Sequence, residues 1–286
     1  MQTIEIQELE ALRNLKLNIK RTVSYNEGFR RSNAKGRSAE FSGYREYIPG
    51  DDMRYVDWNA YARLDKLYIK EYMEEREGRV NIYLDTSRSM QFGRKLKSTL
   101  MTELAQAISY VALSGRDSVY VTDLSRPAAP FKVPPGNMGV KMLQRWLEDI
   151  TPNGRISLAD ALKKSLRTGG GLSFIISDFM DEDFLSQEEE ILRLMNYRKM
   201  EIRLLQILSK EEMEIEYTGS FRFIDSEDES KDVKLTLERS VVRSYTKELE
   251  KYINDISAVA TRYGAMYHLC RTDIPLRKTI YDIMRL

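Results

Sequence analysis

The chain has 286 residues, enough for one large or two modest domains. Its 45 Lys and Arg against 44 Asp and Glu leave a formal charge of +1, which argues against a whole-chain electrostatic grip on nucleic acid or anionic lipid. One cysteine, Cys270, and one histidine, His268, exclude an intramolecular disulfide, a cysteine zinc cluster and a His-rich metal site. With 42% hydrophobic residues and only 7 prolines, the composition is that of a folded, globular chain. No apolar run approaches the roughly 18 residues of a membrane span. The first twenty residues mix acidic and basic side chains and lack the pattern of a secretory leader, so a cytoplasmic protein is expected.

Ile4, Leu9, Leu12, Leu15 and Ile19 recur near helical spacing, which predicts an amphipathic helix over 4–20. From Arg30 to Gly50 the texture turns to Gly, Ser, Arg and Tyr and reads as loop and short strand up to a turn at Pro49-Gly50. Within it, Arg30, Arg31, Lys35 and Arg37 form a basic run with little aromatic interleaving, read as a solvated loop. Residues 64–71 read as a further strand. After Gly78 the pattern becomes regular. Val80, Ile82 and Leu84 make a strand ending at Asp85, and Leu96, Leu100, Leu104, Ile108 and Val111 make a helical stripe. A strand follows at 118–124, then helices at 138–150 and 158–166. Gly169 to Gly171 stop the second helix before a strand at 172–176. Leu185, Leu192 and Met195 mark a helix, 202–208 a strand, 241–259 a long helix, 265–269 a strand and 275–285 a last helix. Phe221 and Phe223, then Val233, Leu235 and Leu237, alternate on either side of an acidic stretch, which predicts a β-hairpin insertion at about 220–237. Short strands alternating with helices predict an α/β fold: a doubly wound, mostly parallel sheet covered on both faces. In such sheets ligands bind outside the carboxyl ends of the strands.

Those ends carry the chemistry. Asp85-Thr86-Ser87-Arg88-Ser89 closes the strand VNIYL. In an extended turn, positions 85, 87 and 89 point the same way and offer one carboxylate and two hydroxyls. Hard oxygen ligands without nitrogen or sulfur suit Mg2+ or Mn2+, although Asp and Ser here also read as caps of the following helix. Ser177-Asp178 closes the strand LSFII and supplies a second carboxylate, adjacent to the first if the two strands are neighbours; it too reads as a cap. Upstream, Arg45, Asp51, Asp52, Arg54, Asp57 and Arg63 alternate in sign around Tyr47, Tyr55 and Trp58. Such a set suits an ion-pair network pinning an irregular segment to the main domain, with a docking surface as the other reading. His268 and Cys270 lie two apart on an apolar strand and read as core or strand-end residues. No G-x-x-x-x-G-K-[ST] is present, and Gly169 to Gly171 precede a strand where a dinucleotide loop follows one.

D-x-S-x-S at the end of the first strand, followed by this βα alternation, resembles the von Willebrand factor A domain with its metal-ion-dependent adhesion site. Residues 40–63, EFSGYREYIPGDDMRYVDWNAYAR, resemble the signature of the prokaryotic domain-of-unknown-function 58 family, E-F-x-x-x-R-x-Y-x-P-G-D-D-x-R-x-[IV]-D-W-x-x-x-A-R. In that family the signature precedes a von Willebrand A-like domain, and the resemblance covers nearly the whole chain. It implies such a domain over 79–286, with the N-terminal helix and signature segment of 1–78 packed on it. It also implies a cytosolic partner of a MoxR-type AAA+ ATPase, in a chaperone-like or maturation role. One departure concerns the adhesion site itself. Its later-loop threonine falls here at Ile156, which offers no ligand oxygen; Ser157 beside it is the alternative ligand, though with Asp160 it also reads as an S-x-x-D capping box.

Three functions are open. The first is a non-enzymatic interaction module in which Asp85, Ser87, Ser89 and Asp178 hold Mg2+ and a partner carboxylate completes the coordination. The second is a metal-dependent hydrolase or phosphatase with Asp85 as nucleophile. Against it, Ser87 stands where such phosphatases carry a second Asp, and general acid/base candidates are scarce. The third is a metal-free scaffold, favoured by Ile156. The first is the reading preferred here, without catalysis.

Overall fold

The computed structural model describes residues 4, 6–17, 40–73, 78–166, 170–215, 219–224 and 232–285. The basic run at 30–37 and the acidic stretch at 225–230 lie outside the described residues. In chain order the elements are α1 (Ile6–Glu10), β1 (Glu40–Glu46), α2 (Trp58–Leu64), β2 (Tyr68–Met73), β3 (Arg79–Leu84), α3 (Lys97–Ser114), β4 (Ser118–Asp123) and β5 (Phe131–Val133). They continue with α4 (Gly136–Glu148), α5 (Leu158–Ser165), β6 (Gly171–Ser177), α6 (Glu182–Tyr197), β7 (Met200–Leu208), α7 (Lys210–Met213) and β8 (Gly219–Ile224). The last are β9 (Asp232–Leu237), α8 (Arg239–Arg262), β10 (Met266–Arg271) and α9 (Leu276–Arg285). Two compact units result, Met1–Val23 with Gly78–Leu286, and Ser24–Glu77.

The larger unit is built on a six-stranded sheet in the order β10-β7-β6-β3-β4-β5. All neighbours are parallel except β4 and the short edge strand β5. Strands β3 and β6 are buried along their whole length, as expected for parallel strands covered on both faces. Alternation sorts their side chains. Val80, Ile82, Leu84, Phe174 and Ile176 meet α3, α4 and α9 on one face; Tyr83 and Ile175, with Ile202 and Leu204 of β7, meet α5, α6 and α8 on the other. This is the doubly wound, von Willebrand A-like α/β fold that the sequence predicts. The hairpin insertion is present as β8 and β9, paired antiparallel from Gly219↔Leu237 to Ile224↔Asp232. No helix among the described residues is long and apolar enough to cross a membrane.

Among the described residues, the N-terminal helix expected over 4–20 is α1, five residues long and followed by turns. Its apolar residues nevertheless belong to the main core: Ile4, Leu9 and Leu12 are buried in the cluster on the α3 face. The buried Gln106 side chain clamps the backbone of Ile4 from α3, accepting from its N–H at 2.7 Å and donating to its carbonyl at 3.0 Å. The smaller unit contains the antiparallel pair β1 and β2, with an irregularity between Phe41 and Gly43. The strand expected at 64–71 is β2, and the residues before it form α2, a seven-residue helix too short to declare itself by periodicity.

Candidate metal centre

From β3 the chain moves to β4 on one side, then returns to place β6, β7 and β10 on the other. The gap between the carboxyl ends of β3 and β6 is therefore the topological switch point, where doubly wound sheets bind ligands. Asp85 follows β3 and Ser177-Asp178 closes β6, so the two carboxylates singled out in the sequence lie at neighbouring strand ends. The Asp85 N–H donates to the Ile176 carbonyl at 3.0 Å and prolongs the ladder by one residue. Alternation then separates the next two side chains. Ser177 Oγ donates to Asp85 Oδ2 at 2.5 Å, while Asp178 reaches the α3 side.

Asp85, Ser87 and Ser89 converge as their spacing predicts. Asp85 Oδ1 accepts from the Ser87 N–H at 2.9 Å, and the Ser87 and Ser89 hydroxyl oxygens lie 3.0 Å apart. Asp85 and Ser87 are buried and Ser89 half-buried. Neighbouring loops hold this turn in place: Asn153 N–H donates to Thr86 O at 3.0 Å, Arg88 N–H to Gly154 O at 2.9 Å, and Thr86 Oγ1 to Asp123 Oδ1 at 2.6 Å. The turn also needs Gly93, whose φ is +98° and whose absent Cβ would lie 2.8 Å from the Ser209 Cβ. Burial, and then the nearby Asp178 charge, push the Asp85 carboxyl up to about 6 despite the hydrogen bonds it accepts from Ser177 and Ser87.

This donor set fits a small hard dication. Adjacent ligands of an octahedral Mg2+ at 2.0–2.1 Å are separated by about 3 Å, the spacing of the two serine oxygens. A buried carboxylate beside them, disfavoured in its charged form, gains from a neighbouring positive charge. Among the described residues no group of three or more His, Cys, Asp or Glu side chains converges, so a cation here depends on hydroxyl oxygens.

Asp178 stands differently. Its Oδ2 is 2.6 Å from Lys97 Nζ, and its Oδ1 accepts from the Met180 N–H at 3.0 Å. Lys97, at the start of α3, is 1% exposed and also contacts Glu212 Oε1 at 2.7 Å. Glu212 is held in turn by a reciprocal capping box with Ser209 at the start of α7. Burial works against the Lys97 ammonium, but Asp178 and Glu212 outweigh it and hold its pKa above the ordinary lysine value. Beside this network Phe179 is buried in the left-handed region at φ 57°, and its carbonyl accepts from the Tyr252 hydroxyl. Ser157 caps α5, its Oγ accepting from the Asp160 N–H at 3.4 Å, and Ile156 packs against the apolar cluster of α5 and α6.

Arg45, Asp51, Asp52, Arg54 and Asp57 each have a charged partner in their own unit. Arg45 grips Asp51 with both terminal nitrogens, at 2.6 and 2.8 Å, and Asp51 also accepts from the Ile48 N–H. The arginine first, then that N–H, hold the Asp51 carboxyl down to about 2. Asp52 chelates Arg54. Asp57 caps α2 through the N–H groups of Asn59 and Ala60, accepts from the Tyr44 hydroxyl at 2.8 Å and faces Lys70 Nζ at 3.2 Å. Asp57 is thus partnered by a lysine and a tyrosine. Trp58 is exposed, as is Arg63 in the last turn of α2.

Four residues escaped the sequence reading. Lys97 precedes Met101, Leu104 and Ile108 at i+4, i+7 and i+11, which places it on the buried stripe of α3. Ser209 and Glu212 spell a capping box. Glu188 lies four residues after Phe184 and four before Leu192, on the apolar stripe of α6. Glu188 is fully buried, and among the described residues neither of its carboxylate oxygens has a hydrogen-bond partner. Burial first, then Glu189, push its carboxyl up to about 7. Around the strand ends, Phe92, Leu96, Met180 and Tyr245 leave apolar surface in solvent.

The family described as protein of unknown function DUF58 matches the chain over residues 43–252. Uncharacterized proteins of Mycobacterium bovis and Mycobacterium tuberculosis are 29% identical over 182 residues. These matches cover 59% of this chain, and the chain spans 56% of the relatives' own length.

Proposed function

The chain belongs to the DUF58 family, and from its strand-end site we propose that it is a non-enzymatic protein-binding module whose Asp85, Ser87 and Ser89 hold Mg2+ or Mn2+. The observation that carries this reading is the pair of serine hydroxyls 3.0 Å apart beside a single buried carboxylate at the switch point. A bound dication there would offer an open position to a carboxylate oxygen of a partner, because the site itself contributes one formal charge. The exposed apolar side chains of Phe92, Leu96, Met180 and Tyr245 suit a protein partner better than a small solute. The resemblance in 40–63 and the D-x-S-x-S turn favour a MoxR-type AAA+ ATPase as that partner, and a cytoplasmic, chaperone-like role.

Catalysis is not part of this reading. Ser87 stands where such phosphatases carry a second Asp, and His268, the sole histidine, lies on β10, at the far edge of the main sheet. The metal-free scaffold is favoured by Ile156 and by Lys97, which already supplies a buried positive charge at Asp178. The two are separated by capture of the ATPase on immobilised protein. If the metal is the bridge, EDTA and Ser87→Ala each weaken the complex; capture unaffected by both assigns the contact to a metal-free surface. Turnover of a phosphoester that depends on Asp85 would overturn the non-enzymatic reading.

A further inference from the structure

We infer that Lys97 is a built-in counter-cation that withholds Asp178 from the metal, so that a divalent ion is held by Asp85, Ser87 and Ser89 without a second carboxylate. The inference rests on the metal-binding reading above and specifies its ligand set. Strand alternation is its first support, since Ser177 turns to Asp85 and the next residue, Asp178, turns to α3. The second is that the ammonium cannot readily leave. Lys97 is buried between Asp178 at 2.6 Å and Glu212 at 2.7 Å. Asp178 is itself fixed by the Met180 N–H at 3.0 Å and, through its carbonyl, by Gln206 Nε2 at 2.8 Å. Glu212 is fixed by Ser209. A buried ammonium between two anchored carboxylates is held by attraction that water does not screen, and breaking such a set leaves charge uncompensated.

Position is the third support. Lys97 Nζ lies 2.6 Å from Asp178 Oδ2, and without that ammonium the site would present Asp178 to the ion as a second carboxylate beside Asp85. Lys97 is therefore a positioning residue: it touches no metal ligand among Asp85, Ser87 and Ser89, and sets how many anionic groups remain free to bind. A site with one anionic ligand leaves the ion electrophilic toward an outside carboxylate, which the proposed bridging role requires.

Titration calorimetry with Mn2+ and thermal unfolding with and without Mn2+ test this on the full chain. Asp178→Asn keeps Lys97 paired with Glu212 and is expected to change Mn2+ affinity by less than about twofold, whereas Asp85→Asn abolishes binding. Lys97→Met is expected to lower the melting temperature without metal, to regain much of it with Mn2+, and to bind Mn2+ about tenfold tighter, because affinity follows the number of charged ligands. Loss of tenfold or more in Asp178→Asn, with wild-type binding intact, makes Asp178 a ligand and overturns the inference alone. Should Lys97→Met not fold, the Asp178→Asn titration decides. Absence of Mn2+ binding in the wild type overturns the underlying reading as well.

Discussion

Replacing Glu188 by glutamine should make the stability of this protein less dependent on pH. Glu188 is fully buried on the apolar stripe of α6, with neither oxygen hydrogen-bonded among the described residues. Its carboxyl is pushed up from 4.5 to about 7. A carboxyl whose pKa is raised on folding stabilises the fold in its protonated form. That contribution is fully present below pH 4.5 and is lost as pH rises through 7. At 1.36 kcal/mol per unit, the full cost of ionising Glu188 in place is about 3 kcal/mol, of which about 2–3 falls between about pH 5 and about pH 8. Glutamine has nearly the same shape and no such cost. Urea unfolding of wild type and Glu188→Gln at both pH values cancels the titrations the two proteins share. The variant should gain about 2–3 kcal/mol on the wild type between the acid and the alkaline measurement. A difference in unfolding free energy that stays constant across that range would refute the placement of an unpartnered acid in the α6 stripe.

Two further predictions concern the N-terminal part of the chain. Asp57→Ala removes the cap of α2 and the acceptor for Tyr44, and should cost about 1–2 kcal/mol by thermal unfolding. The cost stays below the about 3–5 kcal/mol of a fully buried unpaired charge because the side chain of Lys70 is 35% exposed. No change in melting would show that the cap contributes nothing. Leu9→Ala should cost about 2–5 kcal/mol, since Leu9 is fully buried in the main core; a cost near zero would detach the N-terminal helix from that core.

The main sheet was legible because parallel strands buried on both faces read as short apolar runs, and VNIYL and LSFII are such runs. The long helices were legible for the same reason, through stripes such as Leu100, Leu104 and Ile108. Periodicity failed where elements are short. Helix α2 spans two turns, β5 three residues and α7 four, and each is specified by its caps or by tertiary pairing instead. The turn from Asp85 to Ser89 was legible because its residues are adjacent in sequence and strand geometry fixes their direction. Lys97, Asp178 and Glu212 are far apart along the chain, and a list of residues does not say which carboxylate a distant lysine will reach. The signature segment yielded its charges but not their pairing: Asp57 is met by Lys70 and Tyr44, which only the fold brings to it.

The claim on which the rest depends is that two serine hydroxyls and one aspartate form a divalent-cation site. Calorimetric titration of Mg2+ into the wild type and into the double variant Ser87→Ala/Ser89→Ala addresses it most directly, because the substitutions remove two ligand oxygens and leave Asp85 in place. The account predicts saturable one-to-one binding in the wild type and none in the variant, with little difference in melting between the two when metal is absent. Equal binding by both proteins, or none by the wild type, would contradict it.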